Sequence, residues 1–391
     1  MQTQVATALS SGSAPDAARQ LTAMLRERLA GAEPKLVFAF ASTSQPLGEV
    51  TSALHRAFPS AHVLGASTAG EFTEARDAQS AVSAFALAED FVVRAGMGRG
   101  LKEHPDRAVA DATELLGTAP PERVRTAFVL LDPLAGNGEE ASLLIASALG
   151  AHVPLAGGAA GDDLLMKAAH VALDGEAAQD AVVVATLDST LPIGVGVAHG
   201  HRALSAPLRV TRAQGNVVQE VEGRPAWDVW REHTAARARE LGFGEVPPER
   251  EGAFLLAFEA GLAVGRDLKI RAPLSRNADG SINFACGIDP GSVIRITESS
   301  ADHQVESARI AARRAKEALA GRPVAGAVVF DCICRKLILA DRFQTAVQAI
   351  SEELDGSPVA GFETYGEVAL DTGGLSGFHN TTSVVVAFPR L

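Results

Sequence analysis

Leu21, Leu25 and Leu29 recur every fourth position behind Pro15-Asp16, which predicts a helix closed by Gly31 and Pro34. Leu36 to Ala41 is then an unbroken apolar run, the pattern of a strand covered on both faces. A helical segment from Pro46 to Phe58 leads to a second strand at His62 to Leu64, which makes a βαβ unit. Val82 to Leu87 and Phe91 to Met97 read as neighbouring strands joined at Glu89-Asp90. Further on, the pattern predicts a helix from Pro105 to Leu116, strands at His170 to Leu173 and Val182 to Thr186, and a hairpin from Arg209 to Val221 around Gly215-Asn216. Pro225 opens a helix to Leu241, and Pro247-Pro248 can continue neither helix nor strand. Beyond it come strands at Phe254 to Glu259, at Leu268 to Ala272 and near Phe284. An Ala-rich helix from Asp302 to Ala320 follows, and a last one presents Phe343, Val347, Ile350 and Leu354 on one face.

Three stretches repeat one order of elements: an apolar strand with a small polar end, a helix, a strand running into a Gly turn with an acid, and a closing strand. The turns are Gly65 to Glu71, Ala156 to Asp162 and Gly361 to Glu367, and the preceding strands are Val37 to Ser42, Phe128 to Asp132 and Val328 to Cys334. The spacing is too wide for a solenoid and indicates a duplicated α/β unit. The expected fold is therefore α/β with mixed sheets, in two domains over residues 14–246 and 247–391.

Composition narrows the function. A formal charge of -12 repels phosphate backbones and anionic membranes, which argues against nucleic-acid or membrane partners and leaves a small ligand open. The three cysteines form no CxxC pair, which argues against a disulfide scaffold or structural zinc and fits a reducing cytoplasm. No signal peptide and no membrane-length apolar run is evident, so a cytoplasmic location is expected. A homodimer is left open.

Several motifs bear chemistry. Gly65-Ala66-Ser67-Thr68-Ala69 departs from the nucleophile elbow at Ala69 and runs into a polar turn and a strand instead of a helix, so a tight turn is the plainer reading. Glu363, Tyr365 and Glu367 share one face wherever the backbone is extended, and the lone tyrosine offers a stacking surface and a hydroxyl. Cys332 and Cys334 are expected on the same side of a strand end, with Arg335 at the edge to hold a carboxylate or lower a thiol pKa; buried, packed cysteines are the bland alternative. Cys334, His379 and Asn380 follow the order of a cysteine hydrolase, but neighbouring residues of a strand point to opposite faces, which places Asn380 badly for orienting His379. His199 and His201 put two imidazoles on one face, suited to a transition metal or a haem axial position, or simply to hydrogen-bonded histidines.

Taken together, Phe38 to Ser42, Leu64 to Glu71, Pro154 to Asp163, Val210 to Asn216 with Gly223 to Ala226, Gly361 to Glu367 and His379 to Thr381 make the chain resemble the FIST family. The resemblance implies an N-terminal and a C-terminal FIST domain forming a non-enzymatic, cytoplasmic sensor of small molecules such as amino acids. A bacterial branch binds haem, senses nitric oxide and regulates a histidine kinase or a cyclic-dinucleotide enzyme; for that branch His199 or His201 would be the axial ligand, with His379 third. With no kinase or cyclase segment in the sequence, a signal is expected to pass to a separate protein. The expected pocket wall is Cys334, Arg335, Glu363, Tyr365, Glu367, His379 and Asn380, with Arg335 gripping an anionic group and Glu367 a cationic one, as an amino-acid-like zwitterion requires. Occupancy of that pocket is expected to shift the arrangement of the two domains.

Overall fold

The first repeat folds as its pattern predicts. In a computed structural model, which describes residues 3–88, 90–265, 267–370 and 377–390, Leu21 and Leu25 form the buried stripe of helix α1 (Ala14–Arg28) and the run at 36 to 41 lies in the strand Pro34–Ser42. Helix α2 (Leu47–Ala57) returns the chain to the strand His62–Thr68, parallel to the first. The strand Gln4–Ser10, before α1, closes the edge against Val82–Ala88.

Unit 2 repeats this order: edge strand Val92–Arg99, α3 (Pro105–Thr113), strand Val124–Leu131, α4 (Gly138–Leu149), strand Leu155–Ala159 and return strand Ala181–Ser189. Unit 3 begins at the edge strand Gly194–His199 and is interrupted by residues 200–300. It resumes with α7 (Ala301–Glu317), strand Val324–Cys332, α8 (Ile333–Leu339), α9 (Phe343–Glu353), strand Val359–Thr364 and return strand Thr382–Pro389. The interrupting segment carries α5 (Ala226–Glu240), α6 (Glu251–Ala257) and a nine-stranded antiparallel sheet around Trp230, Phe254, Phe258 and Phe284. Its strands Leu208–Gln214 and Val293–Ser299, on either side of Pro247-Pro248, pair with each other.

No unit completes its own sheet. After each Gly turn the chain makes a short hairpin that adds to the sheet of another unit: Glu71–Thr73 pairs with unit 3 at Ala360 to Phe362, Val171–Leu173 with unit 1 at Leu64 to Ala66, and Glu367–Leu370 with unit 2 at Leu155 to Gly158. The exchange runs in a circle. The inner faces of the three sheets meet in one core that includes Phe38 and Phe40 of unit 1, Phe128 of unit 2 and Phe330 and Phe362 of unit 3. The helices cover the outer faces.

This pairing corrects four expectations. The strands at 82–88 and 92–99 both form but belong to different sheets; Glu89 of the expected link lies outside the described residues. Phe254 to Ala257 is helical, because Phe254 and Leu255 turn inward on one face of α6. The third copy's strand ends at Cys332, so Cys332 and Cys334 do not share the side of a strand. The second turn aligns one residue later than its spelling suggests, since Ala41↔Ser67, Leu131↔Ala159 and Asp331↔Glu363 are equivalent pairs; Gly65, Gly157 and Gly361 then coincide, as do the strand-end residues Ser42, Asp132 and Cys332.

The Gly-spaced segment from Gly194 is explained by packing. A Cβ on Gly196 would stand 1.9 Å from the carbonyl oxygen of Ala311 in α7, and one on Gly98 would stand 1.7 Å from that of Ala108 in α3, so helix and edge strand touch backbone to backbone in both units. Gly196→Ala is expected to cost about 2–3 kcal/mol in urea unfolding, because rigid helix backbone must move away. Gly223→Ala, at φ +72 with open space around it, is expected to cost about 1 kcal/mol, the strain of a left-handed alanine alone. Equal losses would contradict the packing argument.

Candidate functional site

The circular exchange leaves clefts where the first strand of one unit ends beneath the turn of another. The turns are fixed by backbone bonds across units: Ala69 N–H to Glu363 O (3.1 Å), Gly161 N–H to Ser67 O (2.7 Å) and Tyr365 N–H to Ala159 O (3.1 Å). Within units 1 and 3 an acid braces the turn. Glu71 accepts from the Thr68 hydroxyl and the Ala81 amide, and Glu367 accepts from the Thr364 hydroxyl and, at 3.2 Å, from the Thr382 amide. Burial pushes both carboxyls well above the usual range. In unit 2 a longer loop takes the place of this brace. Asp162 accepts from the amides of Met166, Lys167 and Ala168 and from the Tyr365 hydroxyl (2.6 Å); burial opposes its ionisation, but these donors outweigh it and hold the carboxyl below its ordinary range.

The cleft between unit 3 and the turn of unit 1 encloses about 660 Å³ and is lined by Asp77, Ser80, Asp163, Leu164, Ile333 and Lys336, among others. Behind the Lys336 wall of this cleft, and not itself lining it, is Glu363, 1% exposed, with Oε2 unpartnered and Oε1 3.9 Å from Lys336 Nζ. Gly70 makes room for it, since a Cβ there would stand 2.5 Å from Oε2. Lys336 bonds Asp77 and lies over the Phe343 ring. Burial pushes the Glu363 carboxyl up to about 8, against the pull of Lys336 and with the repulsion of Asp331, Asp77 and Asp163. The group is therefore largely neutral at pH 7, a carboxylic acid able to ionise when a cation arrives.

None of the residues expected to wall the pocket lines this cleft; Glu363 and Tyr365 stand behind it, each in contact with one lining residue, Lys336 and Leu164, and Glu363, Tyr365 and Glu367 do not share a face. The backbone turns at Gly366, so Glu363 points beneath the unit 1 turn, the Tyr365 hydroxyl accepts from Leu164 N–H (2.6 Å) on the cleft wall, and Glu367 points back to Thr364. Cys334 sits on α8 and packs in the apolar cluster that includes Tyr365 and Phe378. Arg335 is fully buried and does not stand at a strand edge: its guanidinium bonds Asp331 (2.8 Å), Gln304 and Ser307, tying α8 to α7. Asn380 donates to the His379 carbonyl and accepts from Ala272 N–H, so it does not touch the His379 ring. His379 is 1% exposed and burial holds it well below the ordinary imidazole range; burial likewise pushes the Cys332 thiol up and that of Cys286 to about 11.

His199 and His201 lie where unit 3 meets the interrupting segment. His199 Nε2 bonds the Leu268 carbonyl (2.8 Å) and its Nδ1 accepts from His201 N–H (3.2 Å), while the His201 side chain is fully buried, 3.7 Å from Glu259. Both His199 nitrogens are engaged, whereas both ring nitrogens of the buried His201 and His379 have no hydrogen-bond partner among the described residues; none of the three residues lines either cleft between units, so none faces space for a haem there. The sequence reading missed Lys336 and Asp163. It also missed a repeat, Gln79-Ser80, Gln179-Asp180 and Asn380-Thr381, whose second members all take positive φ (55, 48 and 49) where each hairpin enters its return strand.

Family models describe two regions of the chain: a FIST N domain matches residues 35–224 and a FIST C domain residues 226–370. FIST domains are associated with small-ligand sensing in signal transduction. An uncharacterized protein of Mycobacterium tuberculosis (strain ATCC 25618 / H37Rv) is 27% identical over 201 residues, 49% of this chain and 50% of its own length. One from Mycobacterium bovis is 28% identical over 201 residues, 49% of each chain. The matched region thus spans about half the length of these curated relatives. Among solved structures, a cyanuric acid hydrolase from A. caulinodans matches at a TM-score of 0.25 and 9% identity, over 47% of this chain and 70% of its own, a likeness that carries no weight for fold or function.

Glu363 sets a pH dependence with a definite sign. Its folded-state pKa of about 8 lies above the unfolded value of 4.5, so its stabilising contribution is complete below pH 4.5 and is lost as pH rises through 8. Relative to Glu363→Gln, the wild type is expected to lose stability at about 1 kcal/mol per pH unit between pH 5 and 8, measured by urea unfolding of both proteins. A difference that is flat with pH would show that Glu363 ionises freely in the folded protein.

Proposed function

The chain belongs to the FIST family, and from that premise we propose that it is a cytoplasmic, non-enzymatic sensor whose ligand enters the cleft between α8 and the turn of unit 1. The single observation that carries this reading is Glu363: a carboxyl that is 1% exposed yet has an unpartnered oxygen beside a lysine. A buried acceptor without a partner costs about 1–3 kcal/mol, which a ligand ammonium group would recover. Lys336, released from Asp77, would meet an anionic group on the same molecule. The ligand class is therefore amino-acid-like, with Glu363 and Lys336 in the charge-pairing roles that the sequence had suggested for Glu367 and Arg335. The free cysteines agree with a reducing compartment, and among the described residues no helix is long and apolar enough to cross a membrane.

The signal would leave through the loop that walls this cleft. Leu164, Leu165 and Met166 are 51–56% exposed, and Asp163, Leu164 and Met166 hold positive φ (54, 64 and 53), a conformation costly for such side chains. Leu164 lines the cleft and hangs on the Tyr365 hydroxyl, so an entering ligand would press on the loop, and a separate signalling protein would read its new position.

Thermal-shift screening of the full chain against the amino acids tests the reading. A ligand at about 100 times its dissociation constant adds about 2.7 kcal/mol of stability. A rise in Tm that Glu363→Gln and Lys336→Ala each abolish is expected. No rise with any amino acid, or one that survives Glu363→Gln, would overturn the assignment.

A further inference from the structure

The cleft between unit 1 and the loop of unit 2, about 510 Å³, shares no lining residue with the Glu363 cleft and differs from it in chemistry. At the position equivalent to Glu363 it carries Ser67, whose hydroxyl is spent on the Gly161 carbonyl and the His170 amide. Three other features on its walls are unspent. Helix α2 starts behind Pro46 without a side-chain cap, and the amides of Leu47 and Gly48 have no backbone acceptor. First-turn N–H groups carry the positive end of the helix dipole and suit an oxyanion. Lys167, exposed on the facing wall, makes no ion pair among the described residues.

The third feature is independent of the helix and is buried. Gln45 is 7% exposed, and its amide nitrogen donates to the carbonyls of Gly12 (2.9 Å) and Ser80 (3.2 Å). Two carbonyl partners fix which end of the side-chain amide is nitrogen, and therefore which end is oxygen. That oxygen, Oε1, is buried and unpartnered on a residue that lines the cleft. Gln45 directly precedes Pro46, so this unmet acceptor belongs to the same stretch of chain as the uncapped amides of α2. Asp162 also lines the cleft, but its charge is taken up by three backbone amides and the Tyr365 hydroxyl.

We propose that this cleft is a second ligand site, for a small molecule that bears an oxyanion with a hydrogen-bond donor beside it. The oxyanion sits on the α2 amides and Lys167, and the donor meets Gln45 Oε1. The two clefts would then read different charges from opposite sides of one loop, since Leu164 lines one and Leu165 the other.

Sulfamate and methanesulfonate separate the two halves of the proposal, because they match in size and charge and differ only in an amino group against a methyl. Titrated into the full chain and followed by backbone amide shifts, both should perturb Leu47 and Gly48, with sulfamate binding about fivefold more tightly, the worth of one hydrogen bond. Lys167→Ala, at an exposed position, should weaken both by about fivefold or more and leave the Tm in the absence of ligand unchanged. Lys336→Ala, in the other cleft, should change neither. No perturbation by about 50 mM of either ion would overturn the site. Equal affinities would overturn the role of Gln45, and binding lost in Lys336→Ala but kept in Lys167→Ala would place the ions elsewhere and overturn the assignment. None of these outcomes depends on whether Glu363 binds an amine.

Discussion

Backbone pairing of each unit's hairpin with another unit's second strand is the constraint on which the rest of this protein depends. Edge strands left open cost unsatisfied N–H and C=O groups, and each unit relieves that cost for another. To cross between sheets the chain must turn sharply, which puts Gly70 and Gly366 at φ +156 and +155 and leaves an acid to brace the turn from within. The clefts follow from the same geometry: a turn bound to a foreign strand stands over the end of that unit's first strand.

Equivalent positions in the ring have taken different chemistry. Ser67, Ala159 and Glu363 occupy one place in the three units, yet only Glu363 leaves an oxygen unbonded. The acids that look alike in sequence divide by what surrounds them. Glu71 and Glu367 are spent on hydroxyls and amides and serve the turns, Asp162 is ionised by its donors and anchors the loop, and Glu363 is held neutral by burial behind a cleft wall.

The elements and the threefold repeat were legible because apolar periodicity is a local signal. Helices α1, α2, α5 and α7, the hairpin around Gly215-Asn216 and the three Gly turns stand where the pattern puts them. The exchange was not legible, because a strand carries no mark of which sheet will receive it, and the segments 82–88 and 92–99 look adjacent while belonging to different sheets. The site was half legible for the same reason. Burial decides whether a polar side chain faces ligand or protein: Arg335, one residue before Lys336, is consumed by Asp331, Gln304 and Ser307, and nothing in the local sequence distinguishes the two. The interruption of unit 3 by about a hundred residues also hid its edge strand, whose glycines Gly194 and Gly196 serve contact with α7.

Native-state hydrogen exchange tests the circular interlock most directly. If each hairpin is held by another unit, the amides of Ala69, Gly161 and Tyr365, which bond across units, open only with the whole molecule and share the exchange free energy of central-strand amides such as those of Phe38 and Val329. A hairpin that exchanges at a much lower free energy, while the sheet it joins stays protected, would show that the units close without one another and would contradict the account.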